Sequence, residues 1–215
     1  MKTAPVMRRA GDGDTGMPGR GRTPTAAANI GLWFLIMVLS VLFTLLLFAY
    51  VIRMSDGDWR PLALPSQLWL NTGVLILGSV ALQHAAAVER RLQRRERNLS
   101  LLASGVCGIA FVIGQLWAWQ QLIALNEMVA SNPSNSFFYL LTGLHGMHVI
   151  GGLIALAWCS ATAPRYRGTP RAARGIALCA RYWHFILLVW LVLFSAMLWI
   201  TPEIAQTLCG VRTVN

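Results

Sequence analysis

Five apolar runs, near residues 30 to 54, 67 to 88, 99 to 123, 136 to 160 and 180 to 200, are each long enough to cross a bilayer. A hydrocarbon core about 30 Å thick takes roughly 20 helical residues. No water is present there to satisfy backbone N–H and C=O groups, so a chain crosses it as helix or as closed barrel. Barrel strands would alternate apolar and polar residues over about ten positions, whereas these runs are continuous. The pattern predicts an all-α integral membrane bundle of five transmembrane helices over residues 29 to 201. A composition of 56% hydrophobic and 12% charged residues places the chain in the same class.

The net charge of +10 would suit a nucleic-acid partner if it were clustered on one folded face, but its distribution follows the spans instead. Lys2, Arg8, Arg9, Arg20 and Arg22 precede the first span. Arg90, Arg91, Arg94, Arg95 and Arg97 separate the second from the third, and Arg165, Arg167, Arg171, Arg174 and Arg181 separate the fourth from the fifth. The opposite side carries Arg53, Arg60 and Arg212. By the positive-inside rule the N-terminus is cytoplasmic and the C-terminus outside, and no nucleic acid is implied. Residues 1 to 28, rich in Gly, Arg, Pro and Thr, read as a disordered basic cytoplasmic tail, and 202 to 215 as an outer tail. The charge run ERRLQRRERN at 89 to 98 reads as solvated helix ends facing headgroups.

Chemistry at depth is sparse. His145 and His148, in SFFYLLTGLHGMHVIGGLIALAW at 136 to 158, stand three apart and so share a helix face. Around them Gly143, Gly146, Gly151 and Gly152 suit close helix packing. Ionisable groups inside a bilayer are functional suspects, and metal ligation is one reading of the pair. It would need further ligands, and His84 and His184 lie towards the inner ends of their spans, so satisfied interhelical or lipid-contacting histidines are the favoured alternative. Cys107, Cys159, Cys179 and Cys209 show neither a CxxC spacing nor a disulfide framework and read as packing residues.

All eight acidic residues, Asp12, Asp14, Asp56, Asp58, Glu89, Glu96, Glu127 and Glu203, fall in tails, loops or span ends, which argues against an autonomous ion pump. No catalytic, cofactor-binding or metal residue is assigned on this chain. At the inner border Arg181, Tyr182, Trp183 and His184 suit phospholipid headgroups or serve as ordinary interfacial anchors. Trp33, Trp158 and Trp183 fall towards the inner ends of the spans, and Trp59, Trp69, Trp117, Trp119 and Trp199 towards the outer ends, as an aromatic belt would. Trp190, mid-span, reads as a packing residue whose indole N–H requires a partner.

Taken together, FFYLLTGLHGMHVIGG at 137 to 152 and YWHFILLVWLVLF at 182 to 194 resemble the two signature segments of subunit III of the heme-copper terminal oxidases. GLWFLIMVLSVLF at 31 to 43, LPSQLWLNTGVLILGSVALQHA at 64 to 85 and GIAFVIGQLWAWQQL at 108 to 122 add weaker support, and the order matches the short, five-helix bacterial form. The resemblance implies a cofactor-free accessory subunit in the bacterial inner membrane, packed against catalytic subunit I of a respiratory oxygen reductase that uses cytochrome c or quinol. Heme and copper would sit in partner subunits, and phospholipid would lie in a cleft between the first two helices and the rest. Leu39, Ala118 and Leu187 stand where the family often carries acidic residues, which weakens any proton-relay role. The alternatives are a subunit-III-like protein associated with nitric oxide reductase and, from another class, a small transporter or scaffold without a respiratory partner.

Overall fold

A computed structural model describes residues 24–54, 59, 65–125, 132–163 and 169–209. Most of the N-terminal tail, most of the loop between the first two spans and residues 210–215 lie outside the described residues. All five apolar runs are helical: α1 Pro24–Met54, α2 Gln67–Glu89, α3 Arg94–Ala124, α4 Pro133–Thr162 and α5 Pro170–Trp199. Each is long and apolar enough to cross a membrane. The third and fifth begin well before their apolar runs because backbone hydrogen bonding continues through the Arg-bearing turns, whose long side chains can reach water from a helix end. At the start of α4 the Asn132 side chain accepts from the Ser134 backbone N–H at 3.2 Å, and Pro133 occupies the first turn, where its missing N–H costs nothing.

A sixth helix, α6 Pro202–Cys209, lies where a plain tail was expected. An eight-residue segment is too short for its sequence to announce a helix. It is held from outside, because Ala205 is fully buried in a cluster with Phe43, Tyr50 and Leu193.

The helices α2, α3, α4 and α5 form a closed ring, each touching the next, with α5 returning to α2. The remaining span, α1, stands outside on α4, α5 and α6, and among the described residues its backbone approaches neither α2 nor α3, although Leu39 reaches into the core cluster that they share. The expected cleft between the first two helices and the rest is therefore corrected: α2 packs most extensively on α3, and only α1 is set apart. Polarity explains the difference. Asn71 Nδ2 of α2 donates to Gln115 Oε1 of α3 at 3.4 Å, whereas Ser40 of α1 donates to its own helix, at Ile36 O, 2.8 Å.

The turn between α2 and α3 corrects a second expectation. Residues 90 to 96 are exposed, as a solvated charge run should be, but Glu89 and Arg97 at its ends are only 5% and 4% exposed. Arg97 Nη1 donates to Glu89 Oε2 at 2.9 Å, and its Nε and Nη2 both donate to Asn98 Oδ1. Leu92, with a φ of 59°, makes the reversal that brings the two charges together.

Candidate functional site

The residues singled out in α4 and α5 project into and around the ring. His145 is 1% exposed, with ring centroids 5.1 Å from Trp190, 5.7 Å from Phe111 and 6.4 Å from Phe43. Among the described residues its Nε2 has no hydrogen-bond partner. Trp190 Nε1 donates to Thr72 Oγ1 at 2.9 Å, which joins α5 to α2 at mid-span, and the Thr72 hydroxyl in turn donates to Leu68 O at 2.8 Å.

One turn along, His148 is half-buried and lies beneath Phe43 of α1 at 5.5 Å between ring centroids. Its Nδ1 is 2.7 Å from Leu144 O, so that nitrogen carries the proton, because a carbonyl oxygen can only accept. Tyr182 Oη donates to the His148 carbonyl at 3.3 Å. The two histidines share Phe43, but one faces the ring interior and the other the α1 groove. Among the described residues no group of three His, Cys, Asp or Glu side chains could hold a metal ion.

Trp183, expected at the membrane border, is instead 1% exposed inside the ring. Three glycines from three helices make its space. A Cβ on Gly108 would lie 2.9 Å from its six-membered ring, one on Gly152 3.1 Å from it, and one on Gly78 3.6 Å from Nε1. Gly143 faces Trp119, whose ring would lie 3.2 Å from an added Cβ. Gly146 and Gly151 do not serve helix packing within this chain, since nothing lies within 4 Å of a Cβ at either. The 3.6-residue period turns them away from the face that carries Gly152. Gly78 was not singled out in the sequence, and its position opposite a tryptophan from a helix far along the chain leaves no local signal.

At the Arg-rich end, His184 is exposed yet bonds at both ring nitrogens: Nδ1 to Ser79 Oγ, and Nε2 to Gln83 Oε1 at 3.0 Å. With the amide oxygen accepting, Nε2 carries the proton and Nδ1 accepts from the Ser79 hydroxyl. Arg181, next to it in register, lines a surface pocket of about 490 Å³ with Gln83, Arg90 and Arg91. Three arginines thus line one surface pocket at this end of the bundle, while the positions where the resemblance implied acidic residues are apolar. Leu39 is 5% and Ala118 0% exposed, and both belong to one core cluster against which Leu187 packs.

The described residues thus define a helical multi-pass membrane protein whose interior side chains serve helix-to-helix contacts. A sequence profile of the family described as "Cytochrome c oxidase subunit III" matches residues 26–201. Proteins named "Probable cytochrome c oxidase subunit 3" are similar: that of Mycobacterium bovis is 31% identical over 151 residues, covering 68% of this chain and 73% of the relative. That of Nocardia farcinica is 32% identical over 152 residues, covering 66% and 72%. The Mus musculus "Cytochrome c oxidase subunit 3" is 30% identical over 140 residues, covering 65% and 51%. The chain belongs to the cytochrome c oxidase subunit III family.

Proposed function

We propose that this chain is the cofactor-free accessory subunit of a respiratory heme-copper oxygen reductase in a bacterial inner membrane, where it stabilises catalytic subunit I and holds phospholipid. The observation that carries the reading is how the signature segment at 182 to 194 is used. Trp183, His184 and Trp190 lock α5 to its neighbours, which suits a scaffold, and heme and copper belong to the partner subunits. A pocket lined by Arg90, Arg91 and Arg181 suits a lipid phosphate, since guanidinium groups bond phosphate oxygens in pairs. Apolar side chains at the positions of the family's acids fit a structural role better than proton relay.

The test is purification of the chain from its native membrane in mild detergent, with a visible spectrum, subunit masses and extracted lipids. The expected outcome is a heme-bearing large subunit in fixed ratio, and bound anionic lipid that falls when Arg90, Arg91 and Arg181 are replaced by Gln. Consistent purification without a heme protein would sink the proposal. The co-purifying large subunit also separates oxygen reduction from the nitric oxide reductase association.

A further inference from the structure

We propose that Cys159 of α4 and Cys179 of α5 form a dithiol modification site, which a peroxide closes to a disulfide that staples the two helices at their Arg-rich end. Cys159 packs against the buried cluster that contains Cys179, and its Sγ lies 3.7 Å from the carbonyl oxygen of Gly175, one helical turn before Cys179 on α5. A thiol held against the turn of α5 that carries Cys179 can be brought to the disulfide bond length of about 2.05 Å by side-chain rotation. In sequence the two lie far apart with no shared motif, so they read as separate packing residues until the α4–α5 contact places them together.

The pair is reached from one side. Half-buried Cys159 lines a pocket of about 260 Å³ with Trp158, Thr162, Ala172 and Gly175, where α4 ends and α5 begins. Gly175 contributes no side chain to fill that space. Cys179, 5% exposed, sits behind in the cluster that holds Trp183. This asymmetry assigns the order of events. Cys159, as thiolate, attacks one oxygen of hydrogen peroxide, breaking the O–O bond to give a sulfenic acid, and the departing hydroxide takes up the thiol proton as water. The Cys179 sulfur then attacks the Cys159 sulfur, forming the S–S bond and releasing a second water. In sum, two thiols are oxidised by two electrons and one peroxide is reduced to two waters. The site is a property of this chain's own helices and holds whatever complex the chain joins.

The test uses membranes containing the full chain in its complex, exposed to hydrogen peroxide, blocked with N-ethylmaleimide, digested and analysed by mass spectrometry. The expected result is a peptide linking Cys159 to Cys179, lighter by two hydrogens than the pair of reduced peptides and reversed by dithiothreitol, with Cys107 still free to take maleimide. In Cys179→Ser, Cys159 should instead accumulate as a sulfenic acid that dimedone labels. The proposal is overturned if both cysteines still take maleimide after peroxide treatment, if Cys159 pairs with another cysteine, or if it passes to sulfinic acid with Cys179 reduced. Should a serine variant fail to accumulate, the linked peptide in the unaltered chain decides the matter.

Discussion

The helices α1 and α5 are nearly the same length, 31 and 30 residues, yet they stand in opposite relations to the bundle. Only 17% of the most apolar stretch of α1 is buried, against 50% for α5. What separates them is polar and small-residue chemistry. α5 spends Tyr182, His184 and Trp190 on bonds to α4 and α2 and seats Trp183 on three glycines, while α1 turns Trp33, Phe34, Met37, Leu45 and Phe48 outwards. Lipid is as apolar as leucine, so hydrophobicity decides that both helices cross the membrane and cannot decide which one organises it.

Truncating the core tryptophan is the strongest way to break the contrast. Trp183→Ala should cost about 3–5 kcal/mol through the cavity left among α2, α3 and α4, seen as a large drop in the detergent melting temperature and in assembled complex. Phe48→Ala on the outer face of α1, at 64% exposure, should stay within about 0.5 kcal/mol. Equal losses would mean that the outward face of α1 is covered by something as demanding as the ring interior.

A smaller effect with opposite signs comes from glycine replacement. Gly108→Ala drives a Cβ to 2.8 Å from Leu153 and 2.9 Å from Trp183, and should destabilise by about 1–3 kcal/mol. Gly31→Ala in α1 meets nothing within 4 Å, and should stabilise by up to about 1 kcal/mol because alanine is the better helix former. Thermal melts of the two purified variants read the sign directly.

How far these features were legible follows the same division. The five spans were visible because continuous hydropathy is a local property, and the two signature segments carried the family. Trp190 could be expected to need a partner, but Thr72 could not be named, because nothing in a single chain of letters says which helices are adjacent. Trp183 was placed at the border from its position along the span, when its direction around the helix was what mattered. Glu89 and Arg97 looked like members of a charge run until the reversal at Leu92 brought them together. Position along an axis is written in the sequence, and rotation about it is set by neighbours.

Single hydrogen bonds give the finest comparison. Trp190→Phe removes the donor that Thr72 receives at 2.9 Å while keeping most of the ring, and should cost about 1 kcal/mol, in the range of interhelical bonds within membranes. Ser40→Ala removes a hydroxyl that bonds only its own helix, at Ile36 O. That carbonyl keeps its helical role, no other helix loses a hydrogen bond, and a hydroxyl bonded four residues back slightly disfavours a helix in any case. The expected change is a few tenths of a kcal/mol or less, and melting curves of Ser40→Ala and Trp190→Phe recorded side by side should separate. If Ser40→Ala weakened the protein as much as Trp190→Phe, α1 would be joined to the ring through its polar groups after all, and the contrast between an organising helix and an attached one would have to be drawn elsewhere.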